Sequence, residues 1–337
     1  MTKNKKDMAQ WVKNWKQSAP ALQEVQKKER SNFNHSKNYK LIDDMLQYAC
    51  EHGVERTTLI LFLTFFVMLT TANAKPIIFV SILPQQYFVE RIAADHVDIS
   101  VMVKPGENPA LYEPSPRQMA DLSKASAYFS IGVPFERKWL PKIRQLYPKL
   151  RISKTDIGIK KRILSGHDHD YEHKAHSETS DPHIWLSPPL VMLQARQILL
   201  TLQQTLPDHY QLFQKNYHQF INDIVKLDLD LIQILNLTLN KAFMVFHPSW
   251  GYFADAYGLH QIPVEIEGKD VRPSQLAKLI EQAKMQNIRS LFVQPQFSVK
   301  SATVIAQAIK GKVVMVDPLA LDWDINLKSV ARKIKDQ

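Results

Sequence analysis

The chain has 337 residues, 45% of them hydrophobic and 23% charged, a balance that excludes disorder throughout and leaves room for two ordinary domains. Nine Gly and 19 Pro give no low-complexity bias, no period of 20–50 residues repeats, and a single cysteine, Cys50, rules out a disulfide framework and thiolate zinc clusters. Any bound metal must therefore use nitrogen and oxygen ligands. The net charge of +10 is spread along the chain, with 11 basic and 7 acidic residues in 1–74 and 32 and 26 in the rest; this describes a solvated surface and not a nucleic-acid footprint.

Residues 59–69 read LILFLTFFVML, an uncharged apolar run of 11 preceded by Arg56 and followed by Thr70-Thr71-Ala72-Asn73-Ala74. A spanning helix needs about 20 apolar residues, whereas the core of an export signal needs 7–15, so the run reads as a signal h-region with cleavage after Ala74, ahead of the alternative of an uncleaved membrane anchor with residues 1–52 in the cytoplasm. The polar stretch ahead of it is longer than an ordinary n-region, which points to Met45 as an alternative start. Cys50 precedes the apolar run, where a lipid-bearing cysteine cannot stand.

After Ala74 the pattern alternates. Lys75–Leu83 is a β-branched, apolar run that gives way to a helical pattern over Gln86–Ile92; Val97–Val103 is a second strand, Pro116–Ala125 a helix and Ala127–Ile131 a third strand. Residues 165–180 are polar and have no hydrophobic period, which predicts a surface loop. From Asp208, Tyr210, Phe213, Tyr217, Phe220, Ile221, Ile224, Leu227, Leu231 and Ile234 recur every three or four residues, predicting one long amphipathic helix over 208–237. Strands at Ala242–Phe246, Ile262–Ile266, Ser290–Val293 and Val313–Val316 then alternate with helical patterns at Tyr252–Tyr257, Ser274–Gln286 and Ala302–Ile309. This order predicts an α/β protein of two lobes, each a mostly parallel sheet flanked by helices, with a lobe over 75–207 and another over 238–337 joined by the long helix.

The chemistry-bearing residues fall in four places. His167, His169, His173 and His176 put four imidazoles within ten residues, interleaved with Asp168, Asp170 and Glu172; neutral imidazole suits zinc, copper and nickel, and the irregular spacing reads as a loose collector of metal. The others are Asp181-Pro182-His183-Ile184-Trp185, Phe246-His247-Pro248-Ser249-Trp250-Gly251-Tyr252-Phe253 and Val316-Asp317-Pro318-Leu319, each just past a predicted strand or at a helix start, where α/β folds expose binding groups. A buried histidine taken alone is more often a hydrogen-bonded core residue, and an Asp before Pro more often a turn residue.

Seven stretches carry a resemblance: SILPQQYFVERIA, KPGENPALYEPSPRQMADLSKA, DPHIWLSP, FHPSWGYFADAYGL, IEGKDVRPSQLAKLIEQA, QPQFSVKSATVIA and VDPLALDW. In this order, from about Lys75 to Ile334, the chain resembles the substrate-binding proteins of zinc and manganese ABC importers, most closely the zinc-uptake branch. The resemblance implies two Rossmann-like lobes bridged by a rigid helix, a metal site in the cleft between them, and delivery to a membrane permease driven by a cytoplasmic ATPase. Carried over residue by residue, it makes His183, His247 and Asp317 the cleft ligands and 167–176 the family's His-rich loop.

One position departs from the family pattern. Where the resemblance expects the first ligand histidine, in a Pro-His-x-Tyr-Glu segment, the chain has Ala110, which coordinates nothing. The site is then three protein ligands plus water, with Glu113 and Gln294 as candidate replacements. Two imidazoles and one carboxylate favour Zn2+ over magnesium or calcium, with Mn2+ or iron next. The expectation is a monomeric periplasmic zinc-capture protein without turnover, touching the membrane only through its permease. A manganese or iron homologue and a stand-alone metal-buffering chaperone are the alternatives. A secreted zinc hydrolase ranks below them, because no His-Glu-x-x-His helix, Gly-x-Ser-x-Gly elbow or P-loop occurs.

Overall fold

The computed structural model describes residues 75–164, 180–236, 238, 241–265 and 273–337. The expected export signal at 59–69, its cleavage point, and His167, His169, His173 and His176 lie outside the described residues. Among the described residues no helix is long and apolar enough to cross a membrane.

Two four-stranded sheets, both fully parallel, make up the part from Lys75 onward. The first has β1 (Ile77–Val80), β2 (Asp98–Val101), β3 (Ala125–Ser130) and β4 (Arg151–Lys154) in the order β2-β1-β3-β4. The second repeats this pattern as β6-β5-β7-β8, with β5 (Ala242–Val245), β6 (His260–Pro263), β7 (Ser290–Val293) and β8 (Lys312–Met315). In each sheet the chain reverses its direction of travel between the first and third strands, and in such folds binding groups gather at the carboxyl ends of the strands beside that switch point.

The helices are α1 (Leu83–Ala93), α2 (Pro116–Leu122), α3 (Pro134–Leu146), α4 (Pro188–Thr205), α5 (Tyr210–Asn236), α6 (Gly251–Ala256), α7 (Pro273–Met285), α8 (Val299–Ala308) and α9 (Trp323–Lys335). Their starts follow local chemistry. Ser115 forms a capping box with Gln118 and Pro116 opens α2, while Pro84 and Pro134 occupy the first turns of α1 and α3, where no backbone donor is needed. The apolar run at 75–83 is divided between strand and helix because the Gln85 side chain accepts the Ser81 N–H at 3.0 Å, which ends β1 at Val80 and turns the chain into α1. The long helix runs as expected, except that Pro207–His209 forms a 3-10 turn ahead of it. Its buried stripe is Phe213, Phe220, Ile224, Leu227, Leu231 and Leu235. Four elements were not anticipated from the sequence: α3, β4, α4 and α9.

One continuous apolar core joins the first sheet, α1, α4, α5, the near face of the second sheet and α9; a second, smaller core lies on the far face of the second sheet. Although it comes last in sequence, α9 packs against α5, and its Trp323 ring meets Phe88 of α1 edge-on at 5.2 Å. Two indoles fasten the seam: Trp185 donates to the Pro318 carbonyl at 2.6 Å, and Trp323 donates to the Trp185 carbonyl at 2.7 Å.

Candidate metal centre

The second sheet brings its polar residues to one end. His247 follows β5, Glu265 follows β6, Gln294 follows β7 and Asp317 follows β8, so each of the four strands delivers one group just beyond its carboxyl terminus. From the first lobe, His183 stands at the start of a 3-10 turn, Ile184–Leu186, whose three residues are all buried.

His183 and His247 meet across the seam. Their ring centroids are 5.4 Å apart at an interplanar angle of 72°. Each ring is held from behind by a buried carboxylate. Asp181 Oδ1 lies 2.7 Å from His183 Nδ1 and also accepts the His183 backbone N–H at 2.9 Å; Glu265 Oε2 lies 2.8 Å from His247 Nδ1. A carboxylate on Nδ1 fixes the ring's orientation and the tautomer whose Nε2 lone pair is free, as in carboxylate–histidine–metal triads. Burial pushes the His183 imidazole below its usual value, opposed by Asp181 and reinforced by the nearby His247, so the neutral, coordinating form is favoured.

Gln294 is buried beneath His247, and its amide is committed there: its nitrogen donates to the His247 carbonyl at 2.8 Å and to Ser249 Oγ at 2.9 Å, and its oxygen accepts the His247 N–H at 3.4 Å. Phe297 stacks on the His247 ring with centroids 5.2 Å apart and planes within 20°. Asp317 caps its own turn by accepting the Leu319 N–H at 2.9 Å, and burial raises its carboxyl against the pull of that N–H and of the Gln296 side chain. The Trp185–Pro318 bond ties the Asp317 segment to the His183 segment.

The structure thus brings His183 and His247 together and places Asp317 at the same sheet end. Among the described residues, however, no three His, Cys, Asp or Glu side chains converge as a metal-binding group. Ala110 is exposed on the loop after β2, which is pinned by the Pro109 carbonyl accepting from Phe135 N–H at 3.2 Å and by Tyr112 donating to Gln118 at 2.6 Å. Glu113 faces solvent and forms an ion pair with Lys138, which holds its carboxyl below the usual range.

Sequence reasoning left four partners unassigned. Asp181 stood inside the quoted DPH segment, so its i, i+2 relation to His183 was available. Glu265 reaches His247 only through the β5–β6 pairing, and Arg162 and Tyr252 meet the Asp181 segment only in the folded chain.

Two parallel-sheet lobes sharing one core, with an imidazole from each meeting at the seam, define the class as a two-lobed α/β protein of the kind found among metal-binding proteins. The family described as ZnuA, "Zinc-uptake complex component A periplasmic", matches residues 78–330, and the chain belongs to it. Among curated relatives, the zinc-binding lipoprotein AdcA of Streptococcus pneumoniae (strain ATCC BAA-255 / R6) is 26% identical over 255 residues, 74% of this chain and 51% of the relative. The high-affinity zinc uptake system protein ZnuA of Bacillus subtilis (strain 168) is 25% identical over 243 residues, 70% of this chain and 76% of the relative. The chain spans about half the length of the AdcA relatives it matches. Among solved structures, a crystal structure of ZnuA is 41% identical with a TM-score of 0.72, covering 77% of this chain and 98% of that one. A 138–173 ZnuA deletion mutant with zinc bound is 42% identical with the same TM-score, covering 77% and 96%.

Proposed function

We propose that the chain is the substrate-binding component of an ABC importer: it captures Zn2+ between its lobes and hands it to a membrane permease driven by an ATPase, with no turnover chemistry of its own. The observation that carries the reading is the pair of facing imidazoles, each backed by a buried carboxylate, at the seam between the lobes. Neutral imidazole nitrogen suits zinc, and two such ligands make an all-oxygen ion a poor fit. In this reading Asp317 supplies the third protein ligand and water the position that Ala110 cannot fill. Gln294 and Glu113 stand outside the coordination shell, the first holding the His247 backbone and the second paired with Lys138. Residues 167–176 serve as a weak collector, and export through a signal cleaved after Ala74 places the domain in the periplasm.

The test is metal analysis of the full chain, purified without a polyhistidine tag, followed by competition among zinc, manganese and copper and by chelator titration of His183→Ala, His247→Ala and Asp317→Ala. One tight zinc per chain, lost in each histidine variant, is expected. Ala110→His is expected to tighten binding. Tight zinc that survives both histidine changes would overturn the site, and a preference for manganese would overturn the metal. N-terminal sequencing of exported protein checks the start at Lys75.

A further inference from the structure

The polar groups behind His183 do more than hold one ring. Arg162 pairs its backbone with Asp181, whose N–H donates to the Arg162 carbonyl at 2.8 Å, next to an antiparallel bridge between Ile163 and Ser180. From there its guanidinium crosses to the second lobe. One nitrogen donates to the Gly251 carbonyl at 2.9 Å, the same end forms an ion pair with Asp255, and Nε lies 3.9 Å from Asp181 Oδ2, the oxygen that His183 Nδ1 does not use. Tyr252 completes a closed circuit: its hydroxyl accepts the Arg162 N–H at 2.8 Å and donates to the Asp181 carbonyl at 3.0 Å. Gly251 and Tyr252 open α6, four and five residues after His247.

Gly251 shows that this contact is close. A Cβ there would come within 3.1 Å of both Cζ and Nε of Arg162 and of Asp181 Oδ2. Its backbone does not need glycine's freedom, since its φ is not positive. The missing side chain is what leaves room for the guanidinium beside Asp181.

We propose that Arg162, seated on Gly251, is a positioning residue that locks the His183 segment to the His247 segment and so fixes the separation of the two imidazoles, narrowing the site's choice toward a four-coordinate ion. This rests on the zinc reading given above. A planar guanidinium held through one nitrogen by the Gly251 carbonyl and Asp255, with Nε beside Asp181, is a stiff connector, and a metal site whose ligands cannot spread disfavours larger, six-coordinate ions such as Mn2+. Arg162 touches no ligand atom; it acts through Asp181 on one side and the start of α6 on the other.

The experiment uses the full chain with Arg162→Met, Arg162→Lys, Gly251→Ala and Tyr252→Phe. Zinc and manganese affinities are read by chelator competition, coordination number by the Co2+ absorption spectrum, and integrity by the melting of the metal-free protein. Outer-shell changes of this kind shift metal affinity by about 10–100-fold, and Arg162→Met and Gly251→Ala are expected to weaken zinc within that range. Manganese should weaken less, and the cobalt bands should lose the intensity of a tetrahedral site. Arg162→Lys should recover part of the zinc affinity. Tyr252→Phe removes one oxygen and leaves the packing, so it carries the same expectation should Arg162→Met fail to fold. Unchanged zinc affinity, or equal losses for zinc and manganese with an unchanged cobalt spectrum, would overturn the lock while leaving the site intact. Zinc binding that ignores His183→Ala and His247→Ala in the unaltered background would overturn the zinc reading itself, and the lock with it.

Discussion

Glu136 gives the sharpest stability prediction because it is a buried carboxyl and the cation at the same turn, Lys161, is paired with Asp156 instead. It lies at the first lobe's switch point, in the first turn of α3, and is 3% exposed. It accepts the N–H groups of Ile131 at 2.9 Å and Gly132 at 2.7 Å and bonds the Ser81 hydroxyl, which in turn meets Tyr128 at 2.6 Å. Gly132, at φ 95°, adopts the left-handed turn that aims its N–H at the carboxyl. These bonds favour the ionised form, but burial outweighs them and raises the pKa from 4.5 to about 7. The folded state therefore holds a proton that the unfolded chain releases. Its stabilising effect is complete below 4.5 and is lost as the pH rises through about 7. For that shift, the contribution falls by about 2.5 kcal/mol between pH 5 and 8.5. Glu136→Gln has no proton to lose, so the stability gap between the two proteins should move by that amount against the wild type. With a urea slope of about 3 kcal/mol/M, the gap in unfolding midpoints moves by about 0.8 M. Other titrating groups, His183 among them, are common to both proteins and cancel in the difference. A gap that stays constant over this range, or moves in favour of the wild type, would refute the reasoning.

Trp185→Phe removes the donor to the Pro318 carbonyl and leaves that oxygen buried and unpaired, so denaturant unfolding should show a loss of about 1–3 kcal/mol together with weaker zinc binding from the displaced Asp317. Because burial lowers the His183 pKa, its NMR titration midpoint in the metal-free protein should fall below about 6.5, and its contribution to stability should be present above that pH and lost on further acidification. A midpoint at or above the free-imidazole value would contradict the burial argument. Deleting 166–177 should remove weak additional zinc in calorimetry and keep the tight site, and Glu113→Ala should leave zinc affinity unchanged because that carboxylate faces solvent beside Lys138.

All the parallel strands but β4 were legible because β-branched runs and turn residues alternate along the chain, and α5 because its stripe keeps one face apolar for about six turns. α4 was missed for the opposite reason. In PPLVMLQARQILLTLQQT the polar Gln194, Thr201 and Gln203 are buried while Leu193 and Leu200 stand on the exposed face, and this mixing blurs the 3.6-residue signal. In the site, His183 and His247 came from the family resemblance, while the carboxylates behind them came only from folding. Asp181 is two residues from its histidine, but Glu265 is 18 residues away and meets His247 because β5 and β6 lie side by side. Arg162 had no signal at all, since a lone arginine in a polar stretch reads as surface until Gly251 and Tyr252 are placed around it.

The position of α9 governs the order in which the chain can finish folding. Chains emerge from synthesis N-terminus first, and a domain with a complete interior can settle before the rest has appeared. In the first lobe, the parts of α5 and of Phe88 that meet α9 stay open until Trp323 arrives from the last fifteen residues. The seal on the first lobe is therefore completed from the far end of the chain, and loss of α9 is a defect felt at the opposite end of the sequence.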